Sequence, residues 1–278
     1  MSGRHLAVTT DGAGITDGAA PIDHAVSIAG ATPAPTPGRR DGPWGVLVAC
    51  SHGTRDPAGR STIHALLAAV AEAAPGLDVR ESFVDVQTPE VATVVDDALR
   101  TSGPAQPVVV VPLLLSGGFH VHVDIAAAVQ GTRARAAAPL GPDVRLVDLL
   151  VQRLTEAGTD DDDAVVLAAA GSSDPRAAAA VEEVARSLGE RRTGPVTVGY
   201  GAGCAPTVPD AVAAARAEGV AAGSTRRTVI ASYLLAPGHF HDRLLGAGAD
   251  VVTAPLGADA RIAAIVLDRY TQTLGRAG

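Results

Sequence analysis

Aromatic residues make up only 3% of the 278 positions, so a core drawn from the 47% hydrophobic content has to be built from alanine, valine and leucine. Cysteine is scarcer still. Cys50 and Cys204 stand far apart with no C-x-x-C spacing, which argues against both a disulfide framework and a structural zinc knot. Positive charge is in deficit, with 22 Lys+Arg against 30 Asp+Glu and a net −8. That balance argues against nucleic acid and anionic membrane as partners, and an acidic ligand would need a local pocket of basic or N–H donors. No apolar run reaches spanning length, and residues 1–20 lack the basic stretch followed by an apolar stretch that marks an export signal. The expectation is a soluble, unexported protein of a reducing cytoplasm, with one large domain or two moderate ones.

What is present is an alternation of apolar runs with glycine-containing turns. Gly45-Val46-Leu47-Val48-Ala49-Cys50 is continuously apolar, which fits a strand covered on both faces in a parallel sheet. It ends in Ser51-His52-Gly53-Thr54-Arg55, after which Asp56-Pro57 reads as N-cap and first helical residue. His52 thus stands at the carboxyl end of a strand, where open parallel sheets bind ligands, before a helix N-terminus with free N–H groups. Residues 58–74 carry Ile63, Leu66, Leu67 and Val70 at helical spacing and close on Pro75-Gly76. A strand over 79–84, a helix from Pro89 to Arg100 and an apolar strand over 107–115 follow. The last of these runs into Ser116-Gly117-Gly118-Phe119-His120-Val121-His122-Val123-Asp124-Ile125, a second histidine-bearing loop.

The pattern occurs twice. Ala138-Pro139-Leu140-Gly141-Pro142-Asp143-Val144-Arg145 recurs as Ala254-Pro255-Leu256-Gly257-Ala258-Asp259-Ala260-Arg261, each followed by a helix-like stretch. Gly53-Thr54-Arg55-Asp56-Pro57 matches Gly171-Ser172-Ser173-Asp174-Pro175, and Leu114-Leu115 matches Leu234-Leu235. Matches in order at nearly one offset are a duplication. We therefore expect an α/β fold of two similar halves, each a mainly parallel sheet flanked by helices, facing each other across a cleft. The boundaries read as a disordered low-complexity tail over 1–43, an N-terminal half over 44–157 carrying the site histidines, an acidic linker over 158–163, and a degenerate C-terminal half over 164–278. The halves differ in chemistry. Ala170 stands where the first half has His52, and ungapped pairing of the later loops sets Phe240 opposite His120.

His52 and His120 end two strands of one half beside glycines, so one bound atom could touch both imidazoles. Imidazole suits divalent iron, cobalt, nickel or zinc and also moves protons near neutrality. Two histidines make a transient metal site; alternatively, each simply caps backbone carbonyls. His122, His239 and His241 are weaker candidates, and His5, His24 and His64 fall outside the pattern. Ser51-His52 is not a hydrolase pair, because neighbours on an extended backbone point to opposite sides and no G-x-S-x-G is present. Gly199-Tyr200-Gly201-Ala202-Gly203 resembles a dinucleotide loop but has Cys204 where a third glycine is needed. Residues 160–163 are four aspartates without turn glycines and read as a solvated linker. Thr54, Arg55, Arg60 and the helix N-terminus after Asp56 could supply donors to a ligand carboxylate.

The motifs Ser51-His52-Gly53-Thr54-Arg55, Pro112-Leu113-Leu114-Leu115 and Gly118-x-His120-x-x-x-Asp124-Ile125 resemble the class II chelatases of the CbiX/SirB group, the sirohydrochlorin cobalt- or ferrochelatases, in their long two-half form. Phe83-Val84-Asp85-Val86 before Pro89 is similar to the family's intervening segment, and Ala126 departs from the proline often found after Asp-Ile. The resemblance covers residues 45–275. It implies insertion of Fe²⁺ or Co²⁺, as substrate and with no organic cofactor, into sirohydrochlorin on the way to sirohaem or cobalamin. His52 and His120 would then ligate metal and accept pyrrole protons, while Ser51, Gly53, Thr54, Arg55, Gly117 and Gly118 would meet the macrocycle. A non-catalytic metal or tetrapyrrole carrier is the alternative. Fusion lets a monomer close the cleft, with a dimer left open.

Overall fold

The computed structural model describes residues 44–275, apart from the side chains of residues 119–122. The expected tail over 1–43 lies outside the described residues. The first half runs β1 (Val46–Ser51), α1 (Pro57–Ala73), β2 (Asp78–Phe83), α2 (Val91–Thr101), β3 (Val108–Pro112), α3 (Phe119–Val129), β4 (Arg135–Ala136) and α4 (Val144–Glu156). The second repeats it as β5 (Ala164–Ala169), α5 (Pro175–Gly189), β6 (Val196–Tyr200), α6 (Val208–Ala221), β7 (Thr228–Tyr233), α7 (His239–Leu245), β8 (Val251–Val252) and α8 (Ala260–Gly275). Each half forms a four-stranded sheet, in the orders β2-β1-β3-β4 and β6-β5-β7-β8, and every pairing is parallel. The duplicated α/β architecture expected from the sequence is therefore present.

Every residue of β1, β3, β5 and β7 is buried, which is why these runs are apolar without alternation. Successive side chains feed opposite faces. Leu47 and Ala49 enter one core that also holds Leu167 and Ala169, whereas Val46, Val48 and Cys50 enter a second core under α2 and Ile125 of α3. Val166, Ala168 and Ile230 enter a third under α6 and Leu244 of α7. The shared core contains side chains of α1, α4, α5 and α8, so the described residues are layered: outer helices, sheet, four inner helices, sheet, outer helices.

The last helix of each half is exchanged. Within the inner layer α4 packs on β7 and α5, and α8 packs on β3 and α1. The contacts come in matched pairs. Arg153 of α4 donates to the carbonyls of Pro255 and Leu256 at 3.1 and 2.8 Å, and Arg269 of α8 donates to those of Pro139 and Leu140, each at 2.7 Å. Arg145 pairs with Asp268 at 2.7 Å, and its counterpart Arg261 donates to Gln152. The Tyr270 hydroxyl accepts from Gly45 N at 2.9 Å, and the Tyr233 hydroxyl donates to Leu115 O at 3.1 Å.

Some local expectations shift. Pro89 does not open α2: its bond to Thr88 is cis, and the helix begins after an extended Glu90. The strand expected over 107–115 ends at Pro112, where the chain turns into the cleft. The aspartates at 160–163 are not uniformly solvated. Asp163 is 2% exposed, accepts from Asp160 N, and pairs with Arg227 at 2.7 Å. Burial alone would raise its pKa, but these hydrogen bonds and the guanidinium charge bring it down overall.

Candidate functional site

Loops at the carboxyl ends of β1, β3, β5 and β7 enclose a cleft of about 570 Å³ whose walls come from both halves. The loop after β1 is held by local bonds. Asp56 caps α1 by accepting from Ala58 N and Gly59 N, with Pro57 at the first helical position. Thr54 Oγ1 accepts from Asp56 N at 3.1 Å, and Gln87 Oε1 accepts from Thr54 N at 2.7 Å. Gly53 must be glycine: its φ is +94°, and a Cβ there would lie 2.4 Å from Asp85 O. Gly171 repeats this, with φ +89° and 1.8 Å to Ala202 O.

The loops interlock across the halves in the same paired way. Gly238 lies against Thr54 and Asp56, and Gly118 lies against the hydroxyl of Ser172, the counterpart of Thr54. Gly59 of α1 is buried under Pro237 O.

Of the predicted site residues, Ser51, His52, Gly53, Thr54, Arg55 and Gly118 line the cleft, and Gly117 is not among the lining residues. His52 is exposed one position beyond β1, as Ala170 follows β5. Ser51 is only 6% exposed, and its buried Oγ has no hydrogen-bond partner among the described residues. The backbone of His120 lies in the first turn of α3, after Gly118 as N-cap; its side chain and that of His122 are outside the described residues. Arg60 lines the cleft and donates from Nε to Thr54 O at 3.0 Å.

In the second half α7 begins at His239 after Gly238, which sets Phe240 in the position of His120. His239 and His241 also line the cleft, and His241 Nε2 lies 3.2 Å from Thr253 O. His64, set aside above, pairs with Glu81 at 3.3 Å. Among the described lining residues Glu81 is the only carboxylate. Sequence reasoning passed over Glu81, although its place two residues before Phe83 on β2 puts both on one face. Gln87 was missed for a different reason, since nothing local announces a side chain that holds a loop distant in sequence.

Cys50 is buried, and burial pushes its thiol up to about 11, so it offers no thiolate at neutral pH. Among the described residues no cluster of three or more His, Cys, Asp or Glu could hold a metal ion. The glycines at 199–203 serve packing between loops: Gly203 abuts the backbone of Ser172, and Gly201 abuts Ala170 O and the Phe240 ring.

Two facing α/β halves, a shared cleft at the strand ends and a histidine directly after the first strand of one half only define a two-half protein of the class II chelatase type. The family model described as CbiX matches twice, over residues 46–157 and 164–273. The chain belongs to the CbiX family. Among solved structures it is similar to SirB from Bacillus subtilis with Fe³⁺, at 22% identity and a TM-score of 0.66 over 83% of this chain and 95% of that one. CbiX, described as the terminal enzyme for biosynthesis of siroheme in denitrifying bacteria, matches at 20% identity and 0.55 over 82% and 98%. A multi-domain protein from Deinococcus radiodurans, described as structurally similar to chelatases, matches at 23% identity and 0.58 over 82% of this chain and 54% of that one. A search of curated proteins finds no match. No described helix is long and apolar enough to cross a membrane.

Proposed function

We propose that the protein is a sirohydrochlorin chelatase that inserts Fe²⁺ or Co²⁺ into the macrocycle, for sirohaem or cobalamin biosynthesis. The observation that carries this is the exposed His52 at the strand end, in a cleft whose other wall lacks its counterpart, in a CbiX-family chain. Insertion requires a flat tetrapyrrole to be held, a metal to be presented to one face and two pyrrole protons to be removed. His52 and His120 are the residues assigned to metal and protons, since imidazole does both near neutral pH. Ser51, Gly53, Thr54, Arg55, Gly117 and Gly118 are assigned to the macrocycle. The Arg55 and Arg60 guanidiniums suit its carboxylates despite the net −8, whereas the first N–H groups of α1, expected as donors, are taken by Asp56. The metal is substrate, and no organic cofactor is invoked. We place the enzyme in the cytoplasm as a monomer with no nucleic-acid or membrane partner.

The test is anaerobic metallation of sirohydrochlorin followed by its visible spectrum, with protein well below substrate. Many turnovers by the wild type, lost in His52→Ala and His120→Ala, are expected. Binding of macrocycle or metal without any rate increase over the protein-free mixture would instead make the protein a carrier.

A further inference from the structure

We propose that Phe240 is the platform on which the flat macrocycle stacks, supporting the face turned away from His52. This deepens the tetrapyrrole assignment above and rests on it. Few aromatic residues exist in this chain, and those of the described core are buried or half-buried. Phe240 is the exception: at 39% exposure it is the only exposed aromatic among the described residues, and it lines the cleft. An apolar ring partly exposed in a cavity wall offers surface whose burial by a ligand is favourable.

The ring is also held in place. A Cβ on Gly201 would lie 2.9 Å from Phe240 Cδ1, so the bare glycine backbone is what lets the ring lie where it does. The His239 imidazole also meets it in an edge-type contact, with centroids 5.9 Å apart and planes at 62°. A positioned, exposed ring is a surface for a conjugated ligand, because flat π systems stack with tolerance for what their edges carry. Its place in the duplication gives it meaning. Phe240 stands where the first half has His120, and the Gly201 backbone against which it lies also abuts Ala170 O, from the residue at the place of His52. The second half has thus exchanged two imidazoles for a methyl group and a phenyl ring. Neither ligates a metal, so at these two positions only the first half offers imidazole, and the ring supports the other face.

The probe is metal-free sirohydrochlorin, titrated against the full chain and used as variable substrate in metallation. Phe240→Ala is expected to raise the Kd and KM for the macrocycle about tenfold, with kcat and the KM for metal within about twofold of wild type. Phe240→Trp should bind normally. Phe240→Leu, which restores bulk but no π face, should stay weak, and Gly201→Ala should weaken binding with the ring still present. Wild-type affinity in Phe240→Ala, or full rescue by leucine, overturns stacking. If the wild type itself neither binds nor metallates sirohydrochlorin, the tetrapyrrole assignment falls and this proposal falls with it.

Discussion

The two halves share strand order, helix caps, glycine turns and reciprocal clamps, yet only one carries a histidine at the strand end. Frame and chemistry are therefore separable in this molecule. Gly53 and Gly171 occupy equivalent turns and Thr54 and Ser172 brace equivalent caps, while His52 faces Ala170. What the second half retains is what folding needs, and what it lacks is an imidazole at the two positions equivalent to His52 and His120.

The comparison can be broken most severely at the site. His52→Ala should lower metallation by at least about a hundredfold, whereas Ala170→Ser should leave it unchanged, measured as initial rates at saturating substrate. Next in size are the turns. Gly171→Ala sets a Cβ against Ala202 O in a left-handed backbone, and should destabilise by about 3 kcal/mol, read from denaturant midpoints. Gly53→Ala, with its 2.4 Å approach to Asp85 O, should cost somewhat less. Equal costs to stability in a half with a site and a half without one would show the turns to be purely structural.

Arg153→Ala and Arg269→Ala should each cost about 2 kcal/mol through the unpaired carbonyls they leave, and a difference above about 1 kcal/mol would show that the exchange is not energetically symmetric. A smaller effect of opposite sign is expected at Val86. It has φ +62°, and its counterpart, counted from the matched bridges Phe83–Glu90 and Tyr200–Thr207, is Gly203 at φ +78°. Val86→Gly should stabilise by about 1 kcal/mol, visible as a raised Tm.

The finest test is acid titration of the helix caps. Burial alone would raise the pKa of Asp143, but hydrogen bonds from Arg145 and the charges of Arg145 and Arg269 lower it overall; Arg261 does the same for Asp259. A depressed carboxylate contributes stability above its unfolded pKa of about 3.9 and loses it as pH falls through the folded value. Asp143→Asn should therefore be less stable than wild type at neutral pH, with the gap closing below about pH 4, in chemical denaturation across pH.

Much of this was legible locally. The continuous apolar runs announced strands buried on both faces, Asp56-Pro57 announced a helix start, and the repeated Pro-Leu-Gly segments announced two halves. What remained hidden is non-local. The apolar stripe of α4 would fit either sheet, so nothing in residues 144–156 says that it covers β7 and not its own half. The four aspartates at 160–163 look alike in sequence, and only the fold turns Asp163 inward to Arg227. Two-residue edge strands such as β4 and β8 are too short to carry a period. Phe240 was visible as the partner of His120 in the repeat; its resting place on Gly201 required the folded chain.

The exchange of α4 and α8 also limits how the protein can move. Each sheet is covered by the other half's final helix, so the halves cannot swing apart like the jaws of a hinge without stripping those helices from their cores. Any bulky occupant of the cleft must therefore enter and leave through local rearrangement of the loops that meet across the mouth, around Thr54 and Gly238 on one side and Gly118 and Ser172 on the other. The doorway works by its frame, not by its walls.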